Sequence, residues 1–233
     1  MQNIVHRQRG FTIVELMIGI GIVALLLSIA MPTIARAREQ ATRARCASNL
    51  RQILLACTNY ESTWNSSCPW SNWHGPEVAG YRPPGWLYQY PQGIGATSTR
   101  DDVQSGALYA FLGSTDVYHC PQDSDNAAAG PVHTLTSYLM NGATCGYGKH
   151  LPSYQVTMFQ ADAIMFWEAD PQGPAWTAGS VYPSQGITTR HANGGEIACY
   201  DGHVEWMSAA DYGAEEQKLP GRLWCNPGSK GGN

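Results

Sequence analysis

The sequence lacks the short motifs on which many enzymes depend. It contains no GxSxG, P-loop, HExxH or paired glycine-rich loop, each of which places a nucleophile, a phosphate or a metal at a fixed spacing. Its seven cysteines include no CxxC pair, which argues against a structural zinc site and a thioredoxin-like redox site. An enzymatic function therefore has no positive support, and we predict no catalytic residues.

Positive charge is scarce in the longer part of the chain. Residues 1–60 contain seven Arg and two Glu, a net charge of +5, whereas residues 61–233 contain seven Lys or Arg and sixteen Asp or Glu, a net charge of −9. This division indicates that the two parts have different surroundings. The acidic part argues against nucleic acid as a partner, because binding it requires basic residues that neutralise phosphates. Tryptophan is absent before residue 64 and occurs eight times from there on, which predicts a folded head with large side chains to bury.

The longest uncharged run lies near the amino terminus. After a leader with two arginines, residues 11–31 carry a single charge, Glu15, and about 20 apolar residues suffice to cross a bilayer. The basic leader predicts a cytoplasmic start. Two alternatives are an uncleaved anchor and a cleaved secretory signal peptide, for which the sequence ARA at 35–37 fits the cleavage pattern and Arg38 would be the new start. Neither gives Glu15 a role, although a carboxylate in hydrocarbon costs about 2.5 to 3.5 kcal/mol.

The helix is expected to continue beyond Pro32. Residues 33–61 contain no Gly or Pro and are rich in good helix formers. A helix from Phe11 to about Ser62 would be roughly 78 Å long, and Pro32 would kink or break it at the membrane surface. Helical spacing predicts a packing stripe made of Ala37, Ala41, Ala44, Leu50, Ile53, Leu54 and Cys57. The remaining surface is expected to carry Arg36, Arg38, Arg43, Arg45 and Arg51.

The stretch RGFTIVELM at 9–17, followed by an apolar run and Pro32, resembles the class III signal of type IV pilins and type II secretion pseudopilins. The resemblance implies that a prepilin peptidase cuts between Gly10 and Phe11 and methylates the new amino terminus, so that the apolar helix is kept. Glu15 matches that family's glutamate five residues into the mature chain. Paired with the Phe11 ammonium of a neighbouring subunit, it would set the axial register of a filament, because a buried charge without its partner is strongly destabilising. The alternative is that Glu15 snorkels to the cytoplasmic interface.

Residues 64–233 are expected to form a β-rich head. Strands are predicted in DVYHCP (116–121), YQVTMF (154–159) and AIMFWEA (163–169). A short helix is predicted in SGALYAFLG (105–113) and a turn-bearing linker in SYLMNG (137–142). A loop at 66–90 is dense in aromatic residues that form either a sugar-stacking platform or the packing between head and helix: Trp70, Trp73, Tyr81, Trp86, Tyr88 and Tyr90.

The strongest local signal in the head is GEIACYDGHVEWMS at 195–208. Strand-like runs flank Asp201-Gly202, a dipeptide favoured in two-residue type I′ hairpins. His191, nine intervening residues and this Asp-Gly pair resemble the H-x9-DG signature, at about 186–208, of a prepilin-associated C-terminal domain. Other blocks, such as CASNLRQI and TSYLMNG, resemble that family in the same order.

His191, Asp201 and His203 are candidate metal ligands. The pseudopilin resemblance also makes Ca²⁺ a candidate cofactor, although DSDNAA at 123–128 departs from a calcium loop at Ala127. The alternative is that Asp201 shapes the turn and His191 satisfies a buried backbone group. No other cofactor is expected.

The cysteines are candidates for up to three disulfides in an oxidising compartment: Cys46, Cys57, Cys68, Cys120, Cys145, Cys199 and Cys225. On a helix, Cys46 and Cys57 would lie about 16 Å apart, too far to bond each other. Each has Cys120 and Cys145 as candidate partners in the head. The alternative is that they are buried thiols that pack as small apolar groups.

Together these observations predict an α+β fold, with a cleaved leader at 1–10, a long helix at 11–63 whose first part at 11–31 spans the membrane, and a mostly antiparallel β-sheet head at 64–233. The resemblances imply a filament subunit held in the bacterial inner membrane with its head in the periplasm, and later in a periplasmic or cell-surface filament. Its implied partners are copies of itself or other pilins, prepilin peptidase and the pilus or secretion assembly machinery. The alternative function is a membrane-anchored module that binds polysaccharide through the loop at 66–90.

Overall fold

The computed structural model of the chain describes residues 12–73, 84–89, 99–123, 131–170 and 179–233. The chain divides into two compact units between Ala41 and Thr42. The first unit is helical over its described residues, and the second contains the rest of the same helix together with the head.

The first element is a single long helix, α1 (Ile13–Thr63). It continues without a break through Pro32, which confirms the predicted extension and shows no break at this proline, although Pro32 has no N–H to donate to the preceding turn. The helix ends where Asn65 (φ 54°) and Ser66 (φ 59°) adopt the left-handed conformation, a common way for a helix to stop.

The head is built on one sheet of five strands. In chain order these are β1 (Tyr138–Asn141), β2 (Ile164–Glu168), β3 (Ser180–Val181), β4 (Gly194–Cys199) and β5 (Val204–Ser208). Their spatial order is β3-β1-β2-β4-β5, and all neighbours are antiparallel except β1 and β3. The described part of the head also contains two short α-helices, α2 (Tyr109–Leu112) and α3 (Ala209–Glu216), and several 3-10 turns. The predicted α+β class with a mostly antiparallel sheet is confirmed.

The head-facing stripe of α1 begins later than predicted. Its buried residues are Cys46, Ala47, Leu50, Ile53, Leu54, Ala56, Cys57 and Tyr60, which join one core with residues of β1, β2 and β4. The prediction was right for four positions and wrong for Ala37, Ala41 and Ala44, which are exposed. Alanine fits either surface of a helix, so its spacing did not locate the point where packing starts.

One of the arginines expected on the free surface of α1 instead contacts the sheet. The Arg43 Nε lies 3.2 Å from Glu196 Oε1, and its guanidinium lies 5.2 Å from the centre of the Trp206 ring. This contact combines an ion pair with a cation–π interaction. It therefore adds a polar attachment at the edge of the apolar core.

Three predictions about short elements in the head were wrong. The stretches at 116–121 and 154–159 form 3-10 turns, Asp116–Tyr118 and Val156–Met158, instead of strands. The expected linker at 137–142 contains β1, whose four residues are all buried. The Asn141-Gly142 pair that indicated a turn belongs to the 3-10 turn Gly142–Cys145, which begins directly after β1. The strand predicted at 163–169 is confirmed as β2.

The aromatic loop contributes to the core. Trp70, Trp86 and Tyr88 are buried, and the Trp86 indole N–H donates to the Gly179 carbonyl oxygen at 2.8 Å. Because their faces are covered, these three rings do not form a sugar-stacking platform. Trp73 is half-buried and packs edge-on against Tyr147 and Tyr182, whereas Tyr81 and Tyr90 lie outside the described residues.

Adjacent leucines of α1 provide a test of this packing. Leu54 is 5% exposed and Leu55 is 62% exposed. We expect Leu54→Ala to lower the free energy of unfolding by about 2 to 5 kcal/mol, because it leaves a cavity in the core. Leu55→Ala should change it by less than about 0.5 kcal/mol. Urea unfolding of the detergent-solubilised chain, followed by tryptophan fluorescence, measures both, and equal losses would contradict the packing described.

Candidate functional site

The described part of the helix before Pro32 is covered by apolar side chains that the chain does not bury. Its large hydrophobic residues between Ile13 and Met31 are 49% to 79% exposed. This is the one helix, among the described residues, that is long and apolar enough to cross a membrane by length and composition. We call residues 13–31 the apolar segment.

Glu15 caps the beginning of the apolar segment. Its Oε2 accepts hydrogen bonds from the Thr12 backbone N–H at 3.0 Å and from the Thr12 hydroxyl at 2.9 Å. The Thr12 hydroxyl oxygen in turn accepts from the Glu15 backbone N–H at 3.2 Å. This reciprocal pair is a capping box, which satisfies free N–H groups at the start of a helix. The spacing T-x-x-E at 12–15 is the sequence signal of this capping box, and the register role predicted for Glu15 did not include it.

The cap positions the Glu15 carboxylate next to the predicted processing site. Thr12 directly follows Phe11 in the sequence, so the carboxylate lies beside the first amide after the predicted new amino terminus. Gly10 and Phe11 themselves lie outside the described residues. Cleavage, methylation and the pairing of Glu15 with a neighbouring subunit therefore stay predictions.

The β4–β5 hairpin is confirmed, but its turn differs from the predicted one. Cys199 and His203 close the ladder through a Cys199 N–H to His203 O bond of 3.0 Å, and the Gly202 N–H donates to the Cys199 oxygen at 3.0 Å. Gly202 has φ +92°, whereas Asp201 has no positive φ. The loop is thus a three-residue turn with glycine in the left-handed position. A type I′ turn is excluded because it requires positive φ at both central residues.

Asp201 holds this turn together, as one of the two sequence interpretations expected. Its Oδ1 accepts hydrogen bonds from the His203 backbone N–H at 3.0 Å and from the His203 ring at 2.5 Å. These bonds, the backbone one first, keep the pKa of Asp201 below its usual value. Both side chains are about two-fifths exposed.

His191 lies at the other end of β4 and is completely buried. Its N–H donates to the Gly194 oxygen at 3.1 Å, and its carbonyl oxygen accepts from the Trp206 indole N–H at 2.8 Å. A six-residue strand is about 20 Å long, so His191 is far from the turn that holds Asp201. The structure does not bring the predicted ligands His191, Asp201 and His203 together in one metal site.

His191 instead joins a group of side chains from four distant segments, which we call the buried cluster. Its members are Cys46 on α1, Cys120 after the 3-10 turn Asp116–Tyr118, Glu168 at the end of β2 and His191 before β4. All four are buried, and one ligand atom from each lies within 4.8 Å of the others. A second and more exposed group comprises Cys199, His203 and Glu205.

The buried cluster is held by short polar contacts. The Cys46 and Cys120 sulfur atoms are 2.7 Å apart. His191 Nε2 lies 3.3 Å from the Cys120 sulfur and 3.3 Å from Glu168 Oε1. The other carboxylate oxygen, Glu168 Oε2, accepts from the Glu196 N–H at 2.8 Å.

These contacts shift the protonation of the buried cluster. Burial favours neutral forms, but the His191 interactions outweigh it and lower the pKa of Glu168. Burial likewise acts to lower the pKa of His191, yet Cys120 and Glu168 raise it to about 10. Hydrogen bonds, first from Cys46 and then from His191, lower the pKa of Cys120 to about 6. The hydrogen bond with Cys120, and then burial, raise the pKa of Cys46. Negative charge is therefore favoured on the Cys120 sulfur and the Glu168 carboxylate, positive charge on His191, and the neutral thiol at Cys46.

All seven cysteines are free thiols in this structure. Cys120 lies beside Cys46, as one of the predicted pairings required, whereas the Cys145 sulfur lies 2.9 Å from the Ser71 hydroxyl. Cys57 and Cys68 are buried, and burial raises the pKa of both. Disulfide formation stays a prediction, and the geometry identifies Cys46 and Cys120 as close neighbours.

Comparisons with known proteins identify two regions of the chain. Residues 35–203 match the model of a family described as "Protein of unknown function (DUF1559)". Residues 5–31 match the "Prokaryotic N-terminal methylation motif". Together the two matches support a type IV pilin-like or pseudopilin-like protein. No curated protein and no solved structure matches the chain.

Two glycines test the hairpin turn. An added Cβ at either Gly202 or Gly213 meets no atom within 4 Å, so only backbone conformation distinguishes them. We expect Gly202→Ala to cost about 1 to 2 kcal/mol of stability, because an L-residue is strained at positive φ. Gly213→Ala, within α3, should gain about 0.5 to 1 kcal/mol. Urea unfolding of the two variants measures the difference, and shifts of the same sign would refute the assigned turn.

Proposed function

The chain belongs to the DUF1559 family, and from that premise we propose that it is a structural subunit of a type IV pilus-like or type II secretion pseudopilus filament. In this proposal prepilin peptidase cuts the chain after Gly10 and the new amino terminus at Phe11 is methylated. The apolar segment then holds the subunit in the inner membrane until the assembly machinery transfers it into the filament.

The observation that carries the proposal is the exposure of the apolar segment. Thirteen large hydrophobic side chains of the apolar segment, from Ile13 to Met31, are about half exposed or more. Burying such a side chain is worth about 1.5 to 3 kcal/mol. Contact with any apolar surface therefore lowers the free energy of the segment substantially. Lipid supplies that cover before assembly, and the helices of neighbouring subunits supply it in a filament.

Glu15 would act as the register residue of this assembly. Within its own chain the carboxylate uses one oxygen, Oε2, for both hydrogen bonds from Thr12. An ionised carboxylate has further acceptor sites, so Oε1 remains able to accept from the ammonium of a neighbouring Phe11. The capping box would thus hold the carboxylate in place for its partner and keep it from reaching back to the interface.

The head would lie outside the cytoplasm. It follows the apolar segment in the chain, and the basic leader favours a cytoplasmic amino terminus. Residues 61–233 carry a net charge of −9, which suits a water-exposed filament surface. Copies of the chain or other pilins are the partners that such a filament requires.

Processing is tested by the mass of the amino-terminal peptide of the membrane-extracted protein. We expect a peptide that begins with a methylated Phe11. A matched sample from cells without the peptidase should keep residues 1–10. A mature chain that begins at Arg38 would show that the apolar segment is a discarded signal peptide, and the filament proposal would fail.

Assembly is tested by substituting the carboxylate. We expect Glu15→Leu to leave the protein in the membrane fraction and to reduce filament yield at least about tenfold, because the subunit loses the partner of a buried charge. Glu39→Leu removes the next carboxylate of α1, outside the apolar segment, and should preserve filaments. Sheared filaments quantified by immunoblot give the comparison. Normal filaments from the Glu15 variant would exclude the register role.

A further inference from the structure

We propose that the buried cluster binds one zinc ion and that this ion fastens α1 to the head. The inference concerns the second unit of the chain alone and does not rest on the filament proposal. It starts from four side chains that come from four separate segments and converge on one point inside the core.

The donor atoms are those that zinc prefers. Structural zinc sites use cysteine sulfur and histidine nitrogen, and carboxylate oxygen is also a zinc ligand. The buried cluster offers two sulfurs, one imidazole nitrogen and one carboxylate oxygen. Calcium needs six to eight oxygen ligands, and Glu168 is the only member that supplies oxygen. The donor set therefore argues against calcium and fits a tetrahedral zinc ion.

One acceptor atom of the buried cluster lacks a hydrogen bond. Glu168 is fully buried, yet its Oε1 has no hydrogen-bond partner. His191 Nε2 lies 3.3 Å from this oxygen, and that nitrogen is equally distant from the Cys120 sulfur. One ring nitrogen carries at most one hydrogen and cannot donate it well to both. A cation between the three atoms would satisfy all of them.

The two sulfurs lie close enough for one ion to bind both after a small adjustment. At 2.7 Å, the Cys46 and Cys120 sulfurs are too close for simple contact between two neutral thiols. A disulfide would use these two atoms and leave Glu168 Oε1 as it is, whereas zinc uses all four donors. Around a tetrahedral zinc ion two thiolates stand about 3.8 Å apart, since each lies about 2.3 Å from the metal. Binding therefore requires the sulfurs to separate by about 1 Å, a small side-chain rotation.

The surroundings already orient two of the ligands. Glu168 Oε2 accepts from the Glu196 N–H, which leaves Oε1 for the metal. The backbone of His191 is bound at both its N–H and its carbonyl oxygen, by Gly194 and Trp206. The bond to Glu168 is an outer contact of the kind that fixes ligand orientation in metal sites, and the bonds to His191 fix the backbone that carries its ring.

The site would be structural. All four positions of a tetrahedral ion are taken by protein atoms, and the members are buried, so no position is open to a substrate. Its ligands are separated by up to 145 residues, from Cys46 to His191. Zinc would thereby cross-link α1, β2 and two turns of the head, and its binding free energy would contribute to folding.

Zinc content of the full chain tests the inference. The protein is purified in detergent with a non-thiol reductant, loaded with zinc and dialysed against metal-free buffer, and metal is measured by mass spectrometry. We expect about one zinc ion per chain. His191→Gln and Cys120→Ser should reduce it to near zero. The matched controls His203→Gln and Cys145→Ser lie outside the buried cluster and should keep it.

Cobalt(II) replaces zinc in a second measurement on the wild-type chain, which does not depend on the folding of any variant. Sulfur-to-cobalt charge-transfer absorption with tetrahedral bands is expected. An octahedral spectrum, or zinc loss in His203→Gln but not in His191→Gln, would overturn the site. A reduced chain that takes up no zinc would also overturn it. The same holds if the chain, isolated without reductant, contains no metal and its peptide map shows a Cys46–Cys120 disulfide.

Discussion

An apolar helical surface without protein cover is the constraint on which this molecule depends. The large side chains of the apolar segment stay about half exposed or more, and the free energy of leaving them in water is too unfavourable for a protein that functions alone. Cover must come from lipid or from other chains. Because the same helix supplies Leu50, Ile53 and Leu54 to the core of the head, whatever covers the apolar segment also holds the head.

The sequence predicted those parts of the fold whose signals are local. Residues 33–61, rich in helix formers and without Gly or Pro, predicted that α1 continues to its observed end. The strand-like runs on both sides of Asp201-Gly202 predicted β4 and β5. It did not reveal β1, because the turn signal Asn141-Gly142 at its end belongs to the 3-10 turn Gly142–Cys145 that follows the strand. It also misjudged the turn at Gly202, since Asp-Gly fits both a two-residue turn and a three-residue turn with its glycine last.

The candidate sites also differ in whether they have a local sequence signal. Glu15 was visible as a single charge in an apolar run, and its bond to Thr12 follows from three-residue spacing on a helix. The buried cluster was not predictable by spacing, because Cys46 and Cys120 are 74 residues apart and no CxxC motif announces them. One signal was present: Glu168 ends an otherwise apolar strand. An ionised group in such a place demands a partner, but only the fold identifies His191 as that partner.

In the proposed filament, a subunit drawn from the membrane would have to transmit force from its helix to its head. Apolar packing resists separation weakly once water enters, because it has no directional bonds. The attachments of α1 near Cys46 are of another kind: Arg43 contacts Glu196 and the Trp206 ring, and Asn49 donates to the His119 carbonyl oxygen. With zinc in the buried cluster, this polar end of the interface would be its strongest part. Its position where α1 first enters the core is the place where a pull along the helix would begin to open it.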